Sequence, residues 1–396
     1  MSFKYHIQSA ADELKKLTPL ANQFLTEYGP GMPPDLEVLH AQAIYAGVTE
    51  PAVNSLCEFA NMVAKDPALT ALYHGLLDLS RLRKHQEQTR GAMEALVLFG
   101  AMPAARHKYS ALGVPEEIIC DTFGDISRAV DRYANENDGA FGIQHYTAWL
   151  HYHFDALIFH IGRLQYILSS YERYARVFVD DVTGEVKVIA RAGIAFRGDG
   201  LIDGQNDIDC PESRWISEYD EDTDAVRGNC LLVNGRAIRT PVMLKKTHWR
   251  QVLEEGQNRL EIHIPQGKPF TRKDCVDSLR NAWRFYRRFF PDQIFETFTC
   301  GSWLLDPCMQ NILPPSSGII QFQKLFHIYP VAGSEWSFLD RGFEVDPESV
   351  DDIKVFARKA DRSTSLRRGM VGYWLAGSRL HPAAGVIHQY DVIRMG

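Results

Sequence analysis

Two side chains two positions apart are the clearest candidates for proton-transfer chemistry in this 396-residue chain. Glu261 and His263 lie in the run 259–265, which alternates apolar and polar residues and predicts a β-strand over 260–265. Alternate residues of a strand point to the same face, so the carboxylate and the imidazole share a side. A histidine beside a carboxylate is suited to accepting a proton from an amine. Alternatively, both side chains simply cover the solvated or helix-facing side of a sheet.

A glycine-containing loop and a capped helix follow this strand. The loop 266–270 contains Gly267 and Lys268, and Thr271 with an acidic residue three positions later is typical of a helix start. A helix N-terminus after such a loop can bind a phosphate on its free backbone N–H groups, with Lys268 or Arg272 adding positive charge. The other interpretation is an ordinary capped connection between a strand and a helix.

A second strand is predicted after this helix, over about residues 295–303. Cys300, Gly301 and Ser302 stand near its end. Ser302 or Cys300 could protonate a departing thiolate, or either could be a nucleophile if His263 lies beside it. Gly301 could let the strands splay apart. Alternatively, Cys300 is a small buried apolar residue and Ser302 caps the helix that follows.

Several segments of this region resemble one known family. The runs HIPQGKPFT (263–271), SWLLDP (302–307) and LPPSSGIIQF (313–322) are similar to the bacterial acyltransferase-domain family. Its members join a helical N-terminal part to a GNAT-like C-terminal part, GNAT being the large superfamily of N-acetyltransferases. The segments 162–165 and 249–256 resemble the same pattern.

This resemblance implies acyl transfer from CoA, or from an acyl carrier protein, to a small amine or peptide acceptor. In GNAT-like enzymes a backbone N–H of the strand before the phosphate-binding loop polarises the thioester carbonyl, and an acid protonates the leaving thiolate. For such a reaction, Glu261 or His263 would be the base and Ser302 the acid. The residues that would bind the phosphates of CoA or of acyl-phosphopantetheine are Gly267, Lys268, Thr271 and Arg272.

The chain departs from the usual GNAT pattern in two respects. Pro269 and Thr271 stand where small residues are expected, and Pro269 lacks a backbone N–H. The helix after the second strand, beyond Ser302, also lacks the tyrosine that many GNAT-like enzymes use as general acid. A non-catalytic GNAT-like binding or assembly module is therefore an alternative function, and a hydrolase that uses Cys300 or Ser302 is a third.

The order of predicted elements indicates an α+β protein with two domains. Residues 1–143 form an all-helical N-terminal domain, and residues 144–396 form a GNAT-like mixed β-sheet with covering helices. A proline after an N-cap predicts a helix start at 66–67 in the first domain. In the second, we expect an exposed acidic loop over 197–228 and a final strand over 385–395.

A histidine-rich segment near residue 150 raises the question of a metal site. The candidate ligands are His145, His151, His153, Asp155 and His160. Neither an H-E-x-x-H motif nor a cysteine pair accompanies them. Aromatic residues interleave them, which favours a packed helix with satisfied histidines. We expect no metal cofactor.

Composition and charge are typical of a soluble globular protein. With 43 basic and 50 acidic residues the formal charge is −7, which gives no general attraction to nucleic acid or acidic membranes. The seven cysteines are scattered without a C-x-x-C pair and fit reduced thiols. The first residues lack the apolar core of a signal peptide, and no apolar run is long enough to span a bilayer. We therefore expect a cytoplasmic protein.

Overall fold

The chain divides into two compact units, Met1–Ile161 and Gly162–Gly396. The residues that the computed structural model describes are 35–67, 69–70, 87–143, 147–267 and 271–394. The domain boundary between residues 143 and 144 remains a prediction. Within the described ranges, no helix combines the length and the apolarity that crossing a membrane requires.

The first unit is helical, as the sequence predicts, and ends in a short strand. Its elements are α1 (Leu36–Tyr45), α2 (Glu50–Lys65), α3 (Glu87–Ala111), α4 (Glu116–Glu136), α5 (Thr147–Phe154) and β1 (Ile158–Ile161). Every residue from 91 to 102 is buried, so α3 is the central helix of the unit. On α4, an apolar stripe that includes Phe123 and Ile126 is buried. The helix predicted to start at 66–67 lies mostly outside the described residues.

Within the histidine-rich segment, His151 and His153 lie on α5, which contacts α4 through buried polar groups, and His160 lies on β1. His153 Nε2 lies 2.8 Å from an Asp125 carboxylate oxygen, and the Trp149 indole N–H donates to the same oxygen at 3.1 Å. Burial lowers the pKa of His153 to about 3, so its imidazole is neutral. His145 lies outside the described residues. Among the residues that are described, no group of His, Cys, Asp and Glu side chains is arranged to hold a metal ion.

The second unit contains a mixed β-structure with covering helices, which confirms the predicted α+β class. Its strands are β2 (Leu164–Ser170), β3 (Ala175–Asp180), β4 (Val186–Ala190), β5 (Ala195–Phe196), β6 (Trp215–Ile216), β7 (Tyr219–Glu221), β8 (Ala225–Gly228), β9 (Cys230–Leu232), β10 (Arg236–Ala237), β11 (Val242–Lys245), β12 (Trp249–Leu253), β13 (Asn258–His263), β14 (Thr297–Ser302), β15 (His327–Pro330) and β16 (Ala383–His388). Its α-helices are α6 (Arg272–Phe289), α7 (Met309–Ile312), α8 (Gly318–Gln323), α9 (Trp336–Phe338), α10 (Ile353–Lys359), α11 (Ser365–Leu375) and α12 (Gln389–Arg394).

Two sheets and one long helix form the layers of this unit. The central sheet has the strand order β2-β13-β14-β16-β15 within the unit, and the second sheet has the order β10-β9-β4-β3-β12. Apolar side chains from both sheets, including Val177, Leu231 and Val386, fill the space between them. Helix α6 covers the opposite face of the central sheet, where the Tyr286 hydroxyl donates to the Tyr166 carbonyl at 2.8 Å. Side chains of β13 and β14 therefore alternate between a helix-covered face and a face toward the second sheet.

Two sequence predictions in this unit are wrong. Residues 197–228 contribute β6, β7 and β8 instead of one exposed loop. Buried Trp215 stacks on Phe196, and the Asp222 carboxylate accepts backbone N–H bonds in the turn between β7 and β8. An acidic stretch thus supplies the turn and outer face of a hairpin. The final strand ends at His388, and α12 follows it.

Candidate active site

The parallel strands β13 and β14 separate before either of them ends. They pair at only two positions, the second of which joins Glu261 to Thr299. β13 nevertheless continues to His263, and β14 continues to Ser302. Two residues beyond the last pair, His263 and Gly301 therefore occupy corresponding positions on diverging strands. We call the space between these two strand ends the strand opening.

Glu261 and His263 lie on one lip of the strand opening and face the second sheet. His263 Nε2 is itself buried and lies 3.9 Å from the Glu261 carboxylate, whereas the two side chains as a whole are 29% and 24% exposed. A buried arginine, Arg259, donates to Glu261 at 3.0 Å and to the Ser169 hydroxyl at 2.7 Å. This cation holds the Glu261 carboxylate in one orientation.

A second arginine reaches the strand opening from the connection between β2 and β3. A methyl group on Gly301 would overlap the guanidinium of Arg173, so this cation lies against bare backbone on the other lip. On the neighbouring strands, Gly301 is aligned with Ala384 of β16, which is aligned in turn with Tyr329 of β15. The Tyr329 and Tyr171 hydroxyls lie 3.0 Å apart, and burial raises the pKa of both. Both phenols are therefore neutral.

Cys300 and Ser302 point to the helix-covered face of the sheet. Burial raises the pKa of Cys300 to about 12, so its thiol is protonated and is a poor nucleophile. His263 faces the opposite side of the sheet. A hydrolase would need Cys300 or Ser302 as nucleophile next to His263 as base, and the structure places them on different faces. Ser302 Oγ accepts the Leu304 N–H at 3.1 Å and caps a short 3₁₀ helix. The Ser302 hydroxyl keeps its own hydrogen for another acceptor.

The connection after β13 leads into the N-terminus of α6. Gly267 has φ +142°, a conformation that favours glycine. Thr271 Oγ1 accepts the Asp274 N–H at 3.1 Å and donates to its carboxylate at 2.8 Å. Arg272 is exposed at the first helical position, whereas the Asp274 charge opposes an anion there. Lys268 lies outside the described residues.

Two groups that the fold brings to the strand opening, Arg259 and Arg173, are not among the site residues predicted from the sequence. Arg259 could have been found, because it shares the alternating pattern of Glu261 and His263. No sequence pattern marks Arg173, because only the folding of a different hairpin places it against Gly301.

Family models match both parts of the chain. Residues 39–156 match the model described as N-acyltransferase N-terminal domain, and residues 158–387 match the GNAT-like C-terminal domain. The chain therefore belongs to the family of proteins that join these two domains, and the resemblance found in the sequence is confirmed.

Solved structures of acyltransferases share this fold. One, in complex with decanoyl-CoA and teicoplanin, is 18% identical with a TM-score of 0.58, over 91% of this chain and 90% of that one. A mutant acyltransferase in complex with octanoyl-CoA is also 18% identical, with a TM-score of 0.57 over 90% and 89% of the two chains. No curated protein sequence matches the chain.

Proposed function

We propose that this protein is an N-acyltransferase that moves an acyl group from a CoA thioester, or from an acyl carrier protein, to an amine. The strand opening is the main support for this function, because it lies in the GNAT-like domain and has Glu261 and His263 on its β13 side. Divergent strands admit an extended thioester arm to backbone groups that no longer pair with each other. The similar solved acyltransferases bind acyl-CoA or CoA, which supports the same class of donor.

The proposed reaction forms one C–N bond and breaks one C–S bond. The amine nitrogen attacks the thioester carbonyl carbon, and the electron pair of the C–S bond leaves with the sulfur. His263 takes the amine proton, and the Glu261 carboxylate stabilises the resulting imidazolium from 3.9 Å. Ser302 gives its hydroxyl hydrogen to the thiolate and regains a proton from solvent, and His263 releases the amine proton to solvent. Holding both reactants in one cleft supplies much of the rate.

The donor is proposed to run from the N-terminus of α6 into the strand opening. Pairing with β14 stops two residues before the end of β13, so a backbone N–H beyond that point can bind the thioester carbonyl. Gly267, Thr271 and Arg272 would place a phosphate at the helix N-terminus, with Lys268 adding charge. The neighbouring Asp274 carboxylate opposes the phosphate, so we expect the positive charge of Arg272 to be needed for binding.

A thermal-shift experiment with CoA, acetyl-CoA and octanoyl-CoA tests donor binding. Arg272→Glu places an anion at a helix N-terminus, which favours the helix itself. A lost response to the thioester would therefore not reflect unfolding. Arg284→Glu changes an exposed arginine farther along the same helix and is the matched control. We expect stabilisation in the wild type and in Arg284→Glu, and none in Arg272→Glu.

Release of free thiol in the presence of amines tests the transfer itself. His263→Gln should lower kcat by about 100- to 10,000-fold, the usual contribution of a general base, while stabilisation by the thioester is unchanged. Transfer from an acyl carrier thioester alone would identify that donor. Binding to a thioester or to another protein, with no acyl transfer to any amine, would instead support a non-catalytic binding or assembly module.

A further inference from the structure

Arg173 brings a positive charge to the strand opening without a matching anion. Its guanidinium lies against Gly301, and within the described part of the chain no residue gives it a hydrogen bond or an ion pair. The other arginine of the site is matched, because Arg259 pairs with Glu261 at 3.0 Å. Among the described side chains Arg173, Arg259 and Glu261, the strand opening therefore carries one excess positive charge.

The surroundings of Arg173 do not compensate this charge. Tyr171, Tyr174 and Tyr329 all interact with Arg173, and burial raises the pKa of each phenol. They are therefore neutral groups, and solvent reaches only part of the Arg173 side chain. A partly buried charge without a partner is unfavourable until an anion binds. The planar guanidinium matches a carboxylate better than any other common anion except phosphate.

We infer that the acceptor is an amino acid, whose amine reacts at His263 and whose carboxylate binds Arg173. This inference rests on the proposed function, because it names the acceptor class for the same site. His263 and the Gly301 backbone occupy corresponding positions on the two lips of the strand opening, and Arg173 lies against the second. The His263 side chain and the Arg173 guanidinium lie on the same face of the sheet, so we expect the amine and the carboxylate of an amino acid to reach both groups. A simple amine would leave the Arg173 charge unmatched.

Matched acceptor pairs test this assignment. The probes are glycine with glycinamide, and phenylalanine with phenylalaninamide and 2-phenylethylamine, each assayed by thiol release from octanoyl-CoA. In the wild type, we expect kcat/KM to favour the carboxylates by about 10- to 100-fold, the usual effect of a hydrogen-bonded charge. Arg173→Met should abolish that preference without changing KM for the thioester. Arg173→Lys keeps the charge but loses the planar guanidinium with its paired donors. Its preference for carboxylates should therefore lie between those of the wild type and Arg173→Met.

Arg191→Met is the matched control, because Arg191 is an exposed arginine of the same unit and pairs with Glu255 at 2.7 Å. It should keep the wild-type preference. Activity of Arg173→Met toward the amides shows that this variant is folded. The inference is overturned if amides and amines react as well as acids in the wild type, or if Arg173→Met slows all acceptors equally. If no acceptor releases thiol, the proposed function itself fails, and the inference fails with it.

Discussion

The guanidinium of Arg259 and the carboxylate of Glu261 form a 3.0 Å ion pair between alternate residues of a single strand. The arginine side chain is only 7% exposed, whereas the glutamate is 24% exposed. Its buried partner therefore fixes Glu261 at the lip of the strand opening before any substrate binds. A charge that is already oriented needs no reorganisation when a proton is transferred beside it.

Arg259→Met should destabilise the protein and lower its activity. The change leaves Glu261 without its cation and removes the 2.7 Å hydrogen bond to Ser169. Because water can still reach Glu261, we expect a loss of about 2 kcal/mol, less than for a fully buried ion pair. Arg191→Met removes an exposed ion pair and should cost about 1 kcal/mol or less. Urea unfolding of both variants measures the difference, and equal losses would show that the Arg259 pair has no special structural role.

Gly301→Ala should displace Arg173 from the strand opening at little cost in stability. The added methyl group would overlap Arg173 and force the guanidinium away from the strand opening. The atoms that the methyl group meets are the far end of a flexible and partly exposed side chain, so we expect the free energy of unfolding to change by less than about 1 kcal/mol and the preference for carboxylate acceptors to be lost. Gly372→Ala is the control, because Gly372 lies within α11 with open space around it. That change should stabilise by roughly 0.5 to 1 kcal/mol. Gly372→Ala should keep the acceptor preference. A melting temperature far below that of the wild type in Gly301→Ala, or an unchanged acceptor preference, would contradict this account of Gly301.

The strand and helix around the site could be predicted from sequence because their signals are local. Alternation in β13 and the Thr271 cap of α6 both appear in the structure with bounds within two residues of the prediction. The final strand was predicted too long because Tyr390, Val392 and Ile393 continue its apolar run. Only the tertiary contact from the Gln389 N–H to the Glu296 carbonyl shows where the chain turns into α12.

The composition of the site could not be predicted in full, because it depends on contacts between distant residues. Glu261 and His263 share a face for a reason visible in the sequence. The separation of β13 from β14 is a property of pairing, and pairing cannot be read from either strand alone. Arg173 comes from a third segment, and its contact with Gly301 depends on how the connection after β2 folds back over the sheet.

Cys300 should resist alkylation in the native protein. Burial raises its pKa to about 12, so almost no thiolate is present near neutral pH, and the thiol is only 1% exposed. Cys120 is exposed. Partial burial and the neighbouring Asp121 and Glu116 carboxylates raise its pKa as well, so it should react with iodoacetamide slowly but faster than Cys300. Mass spectrometry of native and urea-unfolded samples gives the comparison, since both cysteines should react after unfolding. Fast native labelling of Cys300 that disappears in His263→Gln would return the hydrolase to consideration.

Acid should destabilise the first unit through His153. Burial lowers the pKa of this imidazole from 6.5 to about 3, so between these values the unfolded chain binds a proton that the folded chain does not. The contribution of His153 to stability is therefore fully present above about pH 6.5. Below that pH, the free energy of unfolding falls by up to about 1.4 kcal/mol per pH unit.

His153→Gln removes this titration while its amide can still donate to Asp125. The stability of this variant should therefore decline less than that of the wild type between about pH 7 and pH 5. His40→Gln changes an exposed histidine 3.8 Å from Glu50 and should keep the wild-type pH dependence. Calorimetric unfolding of the three proteins at several pH values measures the slopes. Parallel slopes for the wild type and His153→Gln would mean that His153 is already protonated in the folded unit, against the buried, neutral pairing with Asp125.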